Sequence, residues 1–477
     1  MRSARVIAAI AALALSAGGL AQPGSAPAQE QMLEAFDGGD FERAREIAQE
    51  IIRASPGDWR TRYNLALILA RLGDEDASAE ALIDAISFGF VDLHEMERDP
   101  SLARVRQSPK YRRIVDRWGV LLDAVAESRF DATAATLGPA YADAKDDSLR
   151  LYWLSAIKGE TFDRAREETS RVSAWCASEG LFSEAEARKP DAWVTVILPT
   201  GEDFAVLVPY AMVGGTYARD EKRLVTRDLG PTLRHEFFHV LHWRDMDRMG
   251  QVHPIWVQEG MASLLEDVDD NGSGGYEIRA SWRTNIAKRL ERSGALRPLD
   301  VFLATERDRF VSVRPSANYA HARALMMYVH ERGALGAFYR ALVAGYDMDA
   351  SGVVALEIAL GQPITEIDRA FRKWLGGLPE VGEQAHPPDA GLGVAVVAGQ
   401  GQAPTVAGGP DLGSKARLRG GDVITAIEGR AIATLDDLYR VLGEFEAGDE
   451  VAVSVMRGGR RAEERVVLRA REHGDGF

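Results

Sequence analysis

The residues of this chain best spaced for chemistry are His235-Glu236-Phe237-Phe238-His239. Pro231 and Thr232 mark a helix start just before them, and Val240, Leu241 and Trp243 carry an apolar side onward. Residues four apart share a helix face, so both imidazoles can reach one ion, and Glu236 lies one position on, where it can touch a metal-bound water. With nine histidines in 477 residues, the pattern arises by chance in about one such chain in a hundred. A catalytic zinc takes three protein ligands and keeps one position open. Nineteen residues beyond His239 stands Glu259, within Trp256-Val257-Gln258-Glu259-Gly260-Met261-Ala262. This segment reads as the start of a second helix, which would direct Glu259 at the two histidines if laid antiparallel to the first. Cys176 is the single cysteine, so a metal here must be held by His and carboxylates. Zinc-activated water needs no nucleophilic side chain: the ion lowers the pKa of its water to about 7 and polarises a carbonyl, and a carboxylate moves the proton. No Ser-His-Asp or Cys-His arrangement competes with this reading.

HExxH-x19-E with a Trp-x-x-Glu-Gly context resembles the gluzincin metallopeptidases, the thermolysin-like and aminopeptidase-like zincins, over residues 191–378. The resemblance implies one Zn2+ held by His235, His239 and Glu259, with Glu236 as general base in peptide-bond hydrolysis. For the oxyanion it offers two donors in Asn318-Tyr319-Ala320-His321-Ala322: Tyr319, similar in context to the transition-state Tyr of aminopeptidase-like members, and His321, in the role His plays in thermolysin-like members. His242 shares the face of His235 and His239 and is expected to support the site or the surface rather than ligate. Two departures stand out. Ser263 occupies the place where thermolysin-like members carry an Asp that orients a ligand, so the orienting group is unidentified. The Gly-x-Met-Glu-Asn motif that holds a substrate amino terminus is absent, and Gly214-Gly215-Thr216-Tyr217 stands nearby, which favours an endopeptidase whose substrate adds as a strand near Ala211 to Tyr217.

The elements that must position these residues fall into a multidomain order. Residues 30–131 read as all-α helical repeats with a cap: Gly39-Asp40 recurs as Gly73-Asp74, and the same shift of 34 matches Ala44 with Ser78, Ala48 with Leu82 and Ile52 with Ile86. This resembles the tetratricopeptide repeat (TPR). Residues 132–378 read as an α+β zincin-like protease domain, with a helical lead-in over 132–190, strands at Ala192 to Leu198 and Arg223 to Thr226, and helices from Pro231 to Leu375. Asp267-Val268-Asp269-Asp270-Asn271-Gly272 matches the opening of a Ca2+ loop, but Ile278 stands at the twelfth position, so 267–277 is expected to be a solvated turn with calcium a minor alternative. After a linker at 379–388, residues 389–471 form a small β-rich module. Its Gly391-Leu392-Gly393-Val394 and Gly420-Gly421-Asp422-Val423-Ile424 segments resemble a PDZ domain, which implies a peptide groove lined by Leu392, Gly393, Val394, Val396, Leu438 and Leu442.

Composition bounds the rest. With 57 Lys plus Arg against 72 Asp plus Glu, a formal charge of -15 and no basic stripe, nucleic acid is not an expected partner. Residues 1–21 have the layout of a cleavable signal peptide, followed by a linker at 22–29, so the mature chain is expected to be periplasmic or secreted with no stable transmembrane anchor. The expected activity is zinc-dependent hydrolysis of protein or peptide substrates, with the TPR-like and PDZ regions recruiting peptide partners. The alternatives are an inactive protease-like scaffold that binds peptides through those modules, and zinc hydrolysis of a non-peptide ester or amide.

Overall fold

A computed structural model describes residues 25–185, 189–208, 214–272, 274–381, 390–394, 396–397, 403–406, 418–433 and 435–470. The leader at 1–21 and most of the second linker lie outside the described residues. The chain is multidomain and mostly helical, and its described residues divide into two compact units: 25–173 with 182–208 and 214–252, and 174–181 with 253–470.

The first unit opens with four consecutive helices, Ser25–Asp37, Phe41–Ala54, Trp59–Leu72 and Glu75–Ser87, each packed on the next. The first begins at Ser25, inside the stretch expected to be a linker; Pro27 is tolerated because it falls in the first turn, where its missing N–H breaks no helical bond. The 34-residue shift has a structural counterpart. Gly39 and Gly73 both take left-handed backbone, at φ 80 and 85, a conformation open to glycine because it lacks Cβ. The next residues, Asp40 and Asp74, each accept a hydrogen bond from the amide three positions on, Arg43 and Ala77, and so cap the following helix. Ala44, Ala48, Ser78 and Leu82 fill equivalent buried positions.

Further along this unit, Asp92, Glu95, Asp99 and Asp247 gather near Arg219 and Lys222. Burial, then the Asp92 charge, pushes the Glu95 carboxyl up to about 8, against the opposing pull of Arg219. A carboxyl whose folded pKa is raised holds a proton that the unfolded chain releases, so its contribution to stability is present at low pH and is lost as pH rises from about 4.5 towards 8. Glu95→Gln should therefore raise the melting temperature at pH 8 and leave it nearly unchanged at pH 5. Thermal unfolding followed by circular dichroism at the two pH values checks this, and an equal shift at both would show that Glu95 ionisation is not the cause.

The sheet of the first unit has five strands, Ala142–Asp146 (β1), Leu151–Ser155 (β2), Val194–Leu198 (β3), Gly215–Ala218 (β4) and Arg223–Thr226 (β5), in the order β1-β2-β3-β5-β4. β2, β3 and β5 run parallel, and β1 and β4 close the two ends antiparallel. β1 and β2 correct the expectation of a helical lead-in over 132–190, where the helix Glu160–Ser178 is present but two strands precede it. Leu151-Tyr152-Trp153-Leu154 is buried throughout, and a short run apolar on both faces reads equally as helix or central strand until its neighbours are known.

In the second unit the helices Ile255–Leu264, Trp282–Ser293 and Pro315–Glu331 pack together, with Trp256, Leu264, Leu325 and Met326 fully buried among them. Cys176, near the end of the helix Glu160–Ser178, is also buried, and burial pushes its thiol far above the ordinary range. Val268–Asp270 (β6) and Tyr276–Ile278 (β7) form a hairpin. The carboxy-terminal module contains Ala390–Gly391 (β8), Val396–Val397 (β9), Thr405–Val406 (β10), Val423–Ile427 (β11), Arg430–Ala431 (β12), Glu450–Arg457 (β13), Arg460–Val467 (β14) and Arg469–Ala470 (β15), with the helix Leu435–Leu442 between β12 and β13. Its main sheet runs β14-β13-β11-β10-β9, and β8 pairs with β15. Among the described residues no helix is long and apolar enough to cross a membrane.

Candidate metal centre

The histidine helix, Pro231–Met249, is fixed at both ends and along its buried face. Asp228 accepts hydrogen bonds from the amides of Gly230 and Thr232 at 3.0 and 2.7 Å, placing a carboxylate at the positive end of the helix. Leu233, Phe237, Phe238 and Val240 are fully buried, Arg234 pairs with Glu168 at 2.8 Å, and Gly250 ends the helix in left-handed backbone. This sets the rotation of the helix, so His235 and His239 emerge together. Their Nε2 atoms are 3.1 Å apart. Two nitrogens bound at 2.0–2.1 Å to one tetrahedral zinc stand roughly 3.3 Å apart, so the observed spacing suits a shared ion. Glu236 is half-buried on the same helix.

Glu259 is buried on the helix Ile255–Leu264. One ligand atom from each of His235, His239 and Glu259 lies within 4.8 Å of the others, the arrangement of a group able to hold a metal. Trp256 and Gln258 explain the residues around Glu259: the Trp256 indole donates to the Ser351 carbonyl at 3.0 Å, and the Gln258 amide donates to the His253 carbonyl at 2.6 Å. Gly260 is where this helix meets Pro315–Glu331. A Cβ there would stand 2.8 Å from the Ala322 carbonyl oxygen and 2.8 Å from Met326 Cγ. Ser263, the residue at the expected Asp position, donates its hydroxyl to the Glu259 carbonyl, and its own carbonyl accepts from the fully buried Arg323. Arg323 also donates to the Arg279 carbonyl at 2.7 Å, tying the end of the Glu259 helix to the residue just past Tyr276–Ile278.

Tyr319 is half-buried near the start of Pro315–Glu331, with its ring against Phe310 at 5.2 Å and under the Arg283 guanidinium at 5.4 Å. Asn318 fixes the preceding turn by donating to the Phe310 and Val313 carbonyls at 2.7 and 2.8 Å. Arg283 makes a two-pronged pair with Glu266 at 2.6 and 3.0 Å. Burial opposes its charge, but Glu266, with smaller contributions from Tyr319 and Glu259, outweighs that and holds the guanidinium charged. Arg283, Glu266, Asp228 and Arg323 escaped the reading of motifs. Two of them left a trace in sequence: Glu266 lies seven residues after Glu259, two helical turns on, and Asp228 precedes a Gly-Pro helix start.

The other candidates have different surroundings. His321 is buried, its ring stacked against Phe302 at 3.9 Å and Phe371 at 5.7 Å. Burial, then the charges of Arg297 and Arg372, keeps it neutral well below its ordinary pKa. His242 is fully buried against Phe182 and Phe238. In the hairpin at 267–277, Asp269 pairs with Arg279 at 2.7 Å and Asp270 accepts from the Gly272 amide, and among the described residues these carboxylates form no metal-holding group. β4 is an edge of its sheet, while Ala211 to Val213 lie outside the described residues.

In the carboxy-terminal module Leu392, Leu438 and Leu442 belong to the buried core, and the half-buried Val394 and Val396 pack against it. Gly393 takes φ 69. Asp422 explains its motif: it is buried, its carboxylate accepts from Arg457 at 2.8 and 2.7 Å and from the Arg419 amide, and the Arg457 bonds hold it below the usual carboxylate range.

Residues 391–468 match the family model of the PDZ domain. Within the same region the chain is 42 % identical over 52 residues to Protease Do-like 1, chloroplastic, of Arabidopsis thaliana, a match that spans 11 % of this chain and 12 % of that relative. A solved structure of an aminopeptidase N family protein from Idiomarina loihiensis aligns over 70 % of this chain and 67 % of its own, at 11 % identity and a TM-score of 0.24, too low to establish a common fold. The carboxy-terminal module is thus a PDZ domain, a class of module that binds peptides.

Proposed function

We propose that this chain is an exported zinc metallopeptidase of the gluzincin type that cleaves within protein substrates. The observation that carries the proposal is the approach of ligand atoms from His235, His239 and Glu259 to within 4.8 Å of one another. Two imidazoles and a carboxylate without a thiolate form the donor set of a hydrolytic rather than a structural zinc. When bound there, the ion supplies Lewis acidity, polarising the scissile carbonyl and acidifying a water. Glu236 takes the proton of the attacking water and delivers it to the leaving amine. Tyr319, on the helix packed against that of Glu259, donates its hydroxyl to the developing oxyanion; His321, stacked between Phe302 and Phe371, is not assigned to the oxyanion. The substrate adds as an extended strand along the edge strand β4. The PDZ domain and the TPR-like helices recruit peptide segments, and the leader at 1–21 directs export.

Metal analysis combined with digestion of an unfolded protein tests the proposal. About one zinc per chain is expected, with cleavage at internal bonds that stops on chelation and returns with added zinc. A chain that takes up no zinc, or cleavage indifferent to chelation, overturns the reading.

A further inference from the structure

Away from the metal ligands, and wholly within the second unit, lies a cavity of about 90 Å3 lined by Arg297, Arg309, Arg314, Asn318, His321 and Glu446 among others. Glu446 comes from the PDZ domain and pairs with Arg314 at 3.3 Å. Three guanidiniums and one carboxylate leave two net positive charges around a space the size of roughly three waters. Arg297 is held in place by bonds to Thr305 at 3.0 Å and to Asn318. It is nevertheless easier to deprotonate than an ordinary arginine, first through burial and then through the charges of Arg309 and Arg314, which Glu446 only partly offsets.

Two further features point at a ligand. Arg314 and Ala317 bring the start of the 17-residue helix Pro315–Glu331 to the cavity, and no side chain caps that start; the amino end of a helix attracts negative charge. His321 is 2 % exposed, and its Nε2 has no hydrogen-bond partner. A buried polar nitrogen without a partner is costly, and as a neutral imidazole it can donate one bond to an anion. Clustered cations, a helix start and a buried donor thus share one small space, with a single carboxylate to balance them.

We infer that this cavity binds a tetrahedral dianion of the phosphate class, either free or as a phosphomonoester, between the start of the Tyr319 helix and the PDZ domain. Two negative charges match the excess, and four oxygens can accept from the separate donors around the wall. The site does not depend on the peptidase reading, because its test reads binding and not hydrolysis.

Isothermal titration of the full chain with inorganic phosphate, at ionic strength held constant with chloride, should show saturable binding of one ion per chain. Arg309→Met, a change at an exposed side chain, should weaken it about tenfold or more, the loss of one charge-assisted bond. Glu446→Gln, which removes the competing carboxylate, should tighten it roughly two- to fivefold. A merely structural role for these residues predicts no such opposite changes. Phosphoserine titrated in parallel separates the sources: tighter binding than phosphate identifies a phosphorylated ligand, and weaker binding identifies the free ion. Absence of saturable phosphate binding, affinity unchanged in Arg309→Met, or acetate binding as tightly as phosphate would overturn the inference.

Discussion

Glu236→Gln is expected to keep its zinc while losing peptide hydrolysis by about 10²–10⁴-fold, the usual contribution of a positioned general base. Gln has the shape of Glu and can still hydrogen-bond a water, but it cannot take its proton. His235, His239 and Glu259 supply the three ligand atoms without it, so metal content should stay near that of the unchanged chain. Metal analysis and product analysis by mass spectrometry on the same preparation separate the two effects. Retained zinc with undiminished cleavage would remove Glu236 from the mechanism, and loss of zinc together with cleavage would make it a ligand or a structural support instead.

Gly260→Ala is expected to destabilise the second unit by about 1–3 kcal/mol, the range for overpacking a tight contact. The added Cβ meets the Ala322 carbonyl oxygen and Met326 Cγ, each at 2.8 Å. Met326 can turn aside, but a carbonyl inside a helix cannot move without moving the helix. The helix of Glu259 must then retreat from Pro315–Glu331 and carry the ligand with it, so zinc affinity should fall along with the melting temperature. Calorimetric unfolding and competition with a zinc chelator measure the two. An unchanged melting temperature would mean that the contact has slack, and intact zinc affinity in a destabilised variant would mean that Glu259 is positioned by something other than this helix contact.

The parts of the molecule legible in sequence were those written in local spacing. Four residues between histidines fixed their common face, Gly39-Asp40 and Gly73-Asp74 announced two helix boundaries, and β-branched runs gave β3 and β5. The Gly-Asp-Val-Ile segment marked the PDZ domain, although what Asp422 does, accepting from Arg457, depends on a residue 35 positions away. The hairpin β1–β2 was hidden because Leu151 to Ser155 carries no period until β3 lies beside it. The surroundings of the site were hidden for a similar reason. Arg283 meets Glu266, Arg323 meets the Ser263 and Arg279 carbonyls, and His321 meets Phe302 and Phe371, all pairings made by folding and left unmarked by the chain. Arg323 in particular is a cation that no motif singles out, and it is fully buried.

Cys176 gives the molecule a built-in reporter. It is the single sulfhydryl of the chain, it lies in the interior, and burial holds it in the unreactive protonated form. In the native state an alkylating or disulfide reagent finds almost nothing to attack, and the group becomes reactive only when the segment around it opens. Where labelling outpaces reclosing, its rate therefore counts opening events, without an introduced probe and without touching His235, His239 or Glu259, none of which contains sulfur. The same arrangement lets the protein tolerate an oxidising surrounding with no bridge to form, shuffle or lose.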